Sequence, residues 1–168
     1  MLEVLHFDSP LGRTIAVGSN DSLHGLYFAG QRHLPDIALA PTATRSLLLH
    51  RVRKQIDEYF NGERQSFDLA LDHPGTPLQQ AVWAELAAIP YGKTVTYTTI
   101  AQRVGRPQAV RAIAQAIGRN PWLIIRPCHR VLGSDGSLTG FAAGLERKSA
   151  LLAHEARTLA RPARSGQT

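Results

Sequence analysis

The sequence predicts an α+β protein with a small N-terminal antiparallel sheet and helix, followed by a mostly helical C-terminal domain. Three observations lead to this prediction. Short apolar runs separated by turn residues occupy the first 28 positions, helical periodicity dominates after residue 76, and a glycine-containing turn joins two short helical patterns there. A helix pair of this kind has the outline of a helix-turn-helix.

The N-terminal part begins with a predicted three-stranded meander. Its strands cover residues 2–7, 13–18 and 23–28, and the turn-rich stretches DSPLG and GSNDS separate them. Residues 31–43 contain two prolines and are predicted to form a loop. From residue 44 to 60, apolar side chains recur every fourth position and Asn61-Gly62 follows, which predicts a helix that ends there. Residues 67–71 alternate as in a brief strand.

The stretch DHPGTP marks the predicted domain boundary. We assign residues 1–75 to the N-terminal domain with its linker and residues 76–158 to the C-terminal domain. Residues 159–168 are predicted to be a disordered tail.

The C-terminal domain is predicted to open with a capped helix. Thr76 can cap it, Pro77 suits its first turn, and Gln79 completes a capping box. The predicted buried stripe is Leu78, Val82, Leu86 and Ile89, and Pro90 ends the pattern.

The predicted helix-turn-helix consists of TTIAQRVG and PQAVRAIAQAIG, with the turn at Gly105-Arg106-Pro107. Its second helix should bury Val110, Ile113 and Ile117. The opposite face carries no acid, and short or amide side chains surround its single arginine, so it can approach a DNA backbone or groove closely. The residues predicted on that face are Gln108, Arg111, Ala112 and Gln115.

Positive charge is concentrated in one segment. The net charge is +6, and residues 86–134 contain seven basic residues and no acidic one. The rest of the chain has the other 12 basic residues and all 13 acidic ones, so it is close to neutral. An acid-free basic segment inside a folded region favours a polyanionic partner, with nucleic acid as the usual one. The alternative is a basic face that only aids solubility. The basic residues are Lys93, Arg103, Arg106, Arg111, Arg119, Arg126 and Arg130.

The only cysteine, Cys128, lies in the stretch RPCHRV. It cannot close an intrachain disulfide, and one cysteine without an export signal suits a reducing compartment. Residues 122–125 are predicted to be a buried strand that delivers Cys128 beside His129 in an arginine-rich field, which favours a thiolate. Glu155, on a later helical pattern, could orient the imidazole. The alternatives are a buried structural cysteine, and a Glu155 paired with Arg157.

The stretch from Thr76 to Glu155 resembles the O6-alkylguanine-DNA alkyltransferases, also called methylated-DNA–protein-cysteine methyltransferases. The resemblance rests on IPYGKTVTY, VGRPQAVRAI, the asparagine of GRNP, PCHRV, GSLTGFAAGL and LLAHE, in that order. It implies an RNase H-like N-terminal domain and a winged helix-turn-helix-like DNA-binding motif. It also implies single-turnover transfer of an alkyl group from O6-alkylguanine, and from O4-alkylthymine, to Cys128, with the base flipped out of the duplex.

The resemblance further implies a role for each site residue. Cys128 is the acceptor, His129 deprotonates it through a water, Glu155 orients His129, Asn120 tethers the reactive loop, and Tyr97 donates to guanine N3. Arg111 would fill the gap that the flipped base leaves in the base stack. The other expected DNA contacts follow from the exposed helix face and the basic segment, and they are Gln108, Ala112, Gln115, Arg106 and Arg119. The implied substrate pocket is formed by Tyr97, Ile117, Val131, Phe141 and Ala142.

No metal and no cofactor is expected. The expected partner is double-stranded DNA containing O6-alkylguanine, bound through the minor groove by a monomer that can act cooperatively, with no membrane association. The expected location is the cytoplasm at the nucleoid, or the nucleus in a eukaryote. Two other functions remain open: a non-catalytic sensor of alkylated guanine, which would not need the cysteine, and a Cys–His–Glu thiol hydrolase, which would not need the basic helix.

Overall fold

A computed structural model describes residues 1–162. The N-terminal domain contains the predicted antiparallel meander, with strands β1 (Glu3–Ser9), β2 (Gly12–Gly18) and β3 (Leu23–Phe28) in the order β1-β2-β3. The register pairs Leu5 with Ala16 and Ala16 with Leu26, so three apolar side chains share one face of the sheet. Burial of that face explains why the short strands are stable.

Helix α1 (Leu47–Phe60) packs against β1 and β2. It starts three residues later than predicted because Ser46, rather than Thr44, caps it by accepting a hydrogen bond from the Leu49 N–H at 3.2 Å. Its buried face includes Val52, Ile56 and Tyr59. The preceding loop contains a short 3₁₀ helix, Asp36–Leu39.

Helix α2 (Pro77–Leu86) opens the C-terminal domain with the predicted capping box. The Gln79 N–H donates to Thr76 Oγ1 at 3.1 Å, and the Thr76 N–H donates to Gln79 Oε1 at 2.9 Å. Val82, Leu86 and Ile89 are buried as predicted. These reciprocal bonds satisfy two donors that a helix start otherwise leaves free, so the local sequence suffices to place this terminus.

Helices α3 (Tyr97–Arg103) and α4 (Val110–Gly118) form the predicted helix pair. Gly105 adopts φ 75° in the turn between them, a conformation that glycine tolerates best. Ile113 and Ile117 are buried, whereas Val110 is only half-buried. Just before α3, strand β4 (Val95–Thr96) pairs in parallel with β5 (Val131–Leu132), which brings the residues after Cys128 beside the start of α3.

Two predicted strands do not form. Residues 122–125 bond within their own segment, because the Ile125 N–H donates to Leu123 O at 2.8 Å and the Arg126 N–H to Trp122 O at 2.9 Å. Only a single bridge from Trp122 to Leu26 reaches the sheet. Residues 67–71 likewise make one isolated bridge, Leu23 to Leu71. The apolar character of both segments therefore reflects burial and not strand pairing.

Helix α5 (Leu145–Ala160) extends beyond Glu155 and two residues into the predicted disordered tail. Residues 163–168 of that tail lie outside the described part of the chain. No helix within residues 1–162 combines the length and apolarity needed to cross a membrane.

One hydrophobic core connects the two domains. Trp83 of α2 and Trp122 pack edge to face at 5.6 Å, and His73 of the linker lies against both rings at 6.0 Å. The Trp122 indole donates to Leu23 O at 2.9 Å, and the Leu26 N–H donates to Pro121 O at 2.8 Å. The segment that leads to Cys128 is thus anchored on the N-terminal sheet.

Candidate active site

Cys128, His129 and Arg130 form a short 3₁₀ helix that follows Pro127 directly. All three side chains are buried, and Cys128 is 3% exposed. Three consecutive buried residues with a thiol, an imidazole and a guanidinium need partners for their polar atoms. Those partners define the site.

Asn120 holds the segment before Cys128 in place. Its side-chain amide donates to Arg126 O at 2.8 Å and to Trp122 O at 3.3 Å, and its Oδ1 accepts from the Trp122 N–H at 3.1 Å. Within the spanned segment, Ile124 adopts φ 71°, a rare conformation for a β-branched residue. Such strain persists only where surrounding bonds impose it, and the Asn120 bonds span this segment.

His129 and Glu155 form a buried pair. His129 Nε2 lies 2.7 Å from Glu155 Oε2. Burial alone would raise the pKa of Glu155, but hydrogen bonds from His129 and Arg130 hold it well below its usual range. An ionised carboxylate only accepts hydrogen bonds, so the proton sits on Nε2 and the lone pair of Nδ1 is free. Within residues 1–162, His129 Nδ1 is one of three buried side-chain polar atoms without a hydrogen-bond partner.

Arg130 is the counter-ion of Glu155, not part of a surface patch. Its Nε and Nη2 donate to the two carboxylate oxygens at 2.9 and 3.0 Å, and its Nη1 donates to Ile89 O at 2.7 Å. Arg130, one of the seven basic residues of the acid-free segment, is therefore not available to a polyanion. The same pairing leaves the alternative pair of Glu155 with Arg157 unused. The pKa of His129 is lowered, because burial outweighs its hydrogen bond to Glu155.

The burial of Cys128 favours the neutral thiol over the predicted thiolate. Burial raises the pKa of Cys128 to about 11, although the Asn120 amide and the positive charge of Lys148 act in the opposite direction. Arg130, from the expected arginine field, is neutralised by Glu155, and the positive charge that favours the thiolate is that of Lys148. The thiol must therefore lose its proton to a base at the time of reaction.

An open cavity of about 820 Å³ lies between α4, the residues after β5 and the N-terminal loop. Of the residues predicted to form a substrate pocket, Tyr97, Phe141 and Ala142 line this cavity, while Ile117 and Val131 lie in the core. The Tyr97 hydroxyl donates to Thr139 O at 3.0 Å and lies 3.3 Å from Gly140 O. These contacts use the Tyr97 hydroxyl proton, which the family resemblance implies is donated to guanine N3 of the substrate.

The predicted DNA-binding residues occupy one exposed surface around this cavity. Arg111, Gln115 and Arg119 line the cavity itself. Gln108, Ala112 and Arg106 are exposed beside it. Arg103 is partly neutralised by Glu85, whose Oε1 lies 3.8 Å from its Nη1, and Arg126 lines a separate cavity with Phe67 and Tyr91. The basic surface is therefore smaller than the charge count predicted.

Four residues near the site were not predicted from the sequence. Arg32 and His33, on the N-terminal loop, line the cavity, and nothing local in the sequence indicates this. Lys148 is fully buried and donates to Thr139 O at 2.7 Å. Burial lowers the pKa of Lys148 to about 8. Its seven-residue spacing from Glu155 places both on one helical face, a signal that could have identified it. Tyr59 of α1 donates to Glu155.

No group of three or more His, Cys, Asp or Glu side chains within residues 1–162 is arranged to hold a metal ion. The site is built from a thiol, a relay of buried acid–base groups and an adjacent cavity bordered by exposed arginines.

Two family models match the chain. Residues 5–73 match the ribonuclease-like domain of 6-O-methylguanine DNA methyltransferase, and residues 77–157 match its DNA binding domain. A methylated-DNA–protein-cysteine methyltransferase of Methanosarcina barkeri is 42% identical over 152 residues, which cover 90% of this chain and 96% of that protein. One of Mycolicibacterium paratuberculosis is 40% identical over 157 residues, covering 94% of each.

Solved structures agree with these matches. The crystal structure of Mycobacterium tuberculosis O6-methylguanine methyltransferase superposes with a TM-score of 0.86 at 39% identity, covering 98% of this chain and 97% of that one. A complex of the Mycobacterium tuberculosis protein with DNA superposes with a TM-score of 0.79 at 39% identity, covering 94% of each chain. The predicted α+β fold with its two domains is thereby confirmed.

Proposed function

The chain belongs to the 6-O-methylguanine DNA methyltransferase family, and we propose that Cys128 Sγ is the atom that accepts the alkyl group. DNA repair by methyl transfer to a cysteine is the function of this protein, and methylated-DNA–protein-cysteine methyltransferase is its enzyme class. One observation carries the assignment of the acceptor. The imidazole next to the only cysteine has Nε2 bound to an ionised carboxylate and Nδ1 without a partner.

The proposed reaction begins with proton removal. His129 Nδ1 takes the Cys128 proton through a water, and the imidazolium that forms is stabilised by Glu155. The thiolate then attacks the saturated carbon on guanine O6, forming a C–S bond as the C–O bond breaks. The electron pair of that bond stays with the base, which becomes neutral guanine when Tyr97 donates a proton at N3. The His129 imidazolium then returns the proton taken from Cys128 to Tyr97 by way of water. Because the alkylated cysteine is not regenerated, each protein acts once.

We propose that the base enters by flipping through the 820 Å³ cavity. Cys128 is 3% exposed, and the Tyr97 hydroxyl is bound to Thr139 O and lies 3.3 Å from Gly140 O at the cavity wall. Tyr97 would therefore exchange Thr139 O for the base when the base arrives. Arg111, exposed at the start of α4, is placed to occupy the gap in the stack, and we propose that α4 enters the minor groove of DNA bound by a monomer.

The test is the mass of the intact protein after incubation with a duplex that carries O6-methylguanine. We expect one added methyl on Cys128, with no second turnover, and none in Cys128→Ser, which should still bind DNA. A duplex carrying O4-methylthymine tests the second substrate. Binding without a mass change would instead identify a sensor, and repeated turnover would identify a hydrolase.

A further inference from the structure

We propose that Tyr59 of the N-terminal domain is a positioning residue for the catalytic base, acting through Glu155. The Tyr59 hydroxyl donates to Glu155 Oε2 at 2.7 Å, and both side chains are buried. Tyr59 lies 96 residues before Glu155 in the chain. This inference rests on the proposed role of His129 as the base for Cys128.

The Glu155 carboxylate is held by hydrogen bonds from four residues within the described chain. Oε2 accepts from Tyr59, His129 and Arg130, and Oε1 accepts from Arg130 and the Gly92 N–H at 3.0 Å. Tyr59 is the only one of the four that comes from the N-terminal domain. The N-terminal domain therefore touches the group that orients the imidazole.

The hydroxyl of Tyr59 stays protonated, because burial, followed by the negative charge of Glu155, raises the pKa of Tyr59 far above its usual value. It is thus a permanent neutral donor that competes with His129 for the same oxygen. Such a donor fixes the direction of the carboxylate and also reduces the negative charge that His129 experiences. Removing the Tyr59 hydroxyl should leave Glu155 less well oriented. It should also increase the negative charge that His129 experiences, which raises the pKa of His129.

A hydroxyl that only held the two domains together would act differently. Its loss would lower stability without changing the protonation of His129. The distinguishing quantity is therefore the acid limb of the pH–rate profile, which reports protonation of the base. For Tyr59→Phe we expect that limb to move to higher pH by roughly half a unit to one unit, and the plateau rate to fall about threefold to tenfold.

Other titratable groups near this cluster could affect the same limb. His154 Nε2 lies 2.8 Å from Tyr59 O, and the His154 ring is 5.0 Å from the Tyr59 ring. The Tyr91 ring is 6.1 Å from that of Tyr59 and lies under the Arg130 guanidinium. The charged or titratable groups that face Glu155, His129 and Tyr59 are Cys128, Arg130, Lys148, Tyr91, His154 and, beside Tyr91, Arg161.

Two matched controls follow from these contacts. Tyr91→Phe removes a hydroxyl from the same cluster that makes no hydrogen bond to Glu155. His154→Gln removes the second imidazole and keeps a side chain able to bond Tyr59 O. We expect both variants to keep the wild-type acid limb. If the acid limb of the pH–rate profile disappears in His154→Gln, that limb belongs to His154, and the proposal is overturned.

The experiment measures single-turnover methyl transfer from a methylated duplex across pH 5–9 with the full chain, alongside ¹⁵N NMR titration of His129. The NMR titration requires no transfer, so it separates this inference from the proposed function. Absence of transfer in the wild type would refute the proposed function. A wild type that transfers, and a Tyr59→Phe protein with unchanged limb and unchanged titration, would refute the positioning role.

Should Tyr59→Phe fold poorly, 3-fluorotyrosine at position 59 keeps the ring and strengthens the donor. A stronger donor neutralises more of the Glu155 charge, so both the acid limb and the His129 titration should then move to lower pH. No movement, or movement to higher pH, overturns the proposal.

Discussion

Raising the salt concentration tests which positive charges contact DNA. Seven basic residues occupy the acid-free segment, but the structure removes several from the count. Arg130 is buried against Glu155, Arg126 lines another cavity, and Arg103 lies near Glu85. Lys93 is exposed but precedes the α3–α4 helix pair, so the exposed basic residues that remain in or directly after that pair are Arg106, Arg111 and Arg119.

Three phosphate contacts predict a definite slope. Each neutralised phosphate contributes about −0.9 to the slope of log affinity against log salt, so three give about −2.7. Between about 50 and 200 mM salt, affinity for an undamaged duplex should fall roughly 40-fold. Transfer from free O6-benzylguanine, which has no phosphate, should hardly change over this range.

Fluorescence anisotropy with a labelled duplex measures the slope. In an undamaged duplex no base leaves the stack, so Arg111 is counted here as a phosphate contact. Arg111→Gln and Arg119→Gln should each reduce the magnitude of the slope by about 0.9, because each removes one phosphate partner. Arg53→Gln, at an exposed arginine of α1, should leave it unchanged. The reasoning fails if wild-type binding barely responds to salt, or if Arg53→Gln flattens the slope as much as the α4 variants do.

Four further predictions concern the base stack, the thiol (two predictions) and the buried lysine. Arg111→Ala should slow repair of duplex DNA at least tenfold more than reaction with free O6-benzylguanine, and equal losses in the two rate measurements would contradict a role in flipping. Because burial raises the pKa of Cys128 to about 11, alkylation of the folded protein by iodoacetamide should accelerate about tenfold per pH unit from 7 to 10, and a plateau near pH 7 would refute the neutral thiol. The pKa of Cys128 in the folded protein also exceeds the reference value of 9.0, so between about pH 9 and pH 11 the thiol ionises more readily in the unfolded chain, and the free energy of unfolding falls. Urea unfolding should show that Cys128→Ala does not lose stability in this way over the same pH range. Lys148→Met should slow methyl transfer several-fold, since it removes both the bond to Thr139 and a charge that favours the thiolate. The free energy of unfolding at pH 7 should change by no more than about 1 kcal/mol. An unchanged transfer rate in stopped-flow measurements would count against this role of Lys148.

The sequence by itself determined the features that depend on neighbouring residues. The capping box of Thr76 and Gln79, the turn at Gly105 and the buried positions of α1 each arise from interactions within a few residues. The family resemblance rested on contiguous motifs in the same way. It also placed Cys128, His129, Glu155 and Asn120 together, and the structure brings these four residues into one site.

Only the tertiary structure decided how the charges are used. Residues 122–125 look like a strand because they are apolar, yet no continuous partner strand lies beside them. Arg130 and Arg111 are both arginines of the same acid-free segment, but Arg130 neutralises a buried carboxylate whereas Arg111 remains exposed. The neutral thiol of Cys128, the buried Lys148 and the Tyr59 contact all depend on groups brought together from distant parts of the chain. Desolvation and ion pairing are set by what surrounds a group in space, and for Glu155 that surrounding includes a hydroxyl 96 residues away.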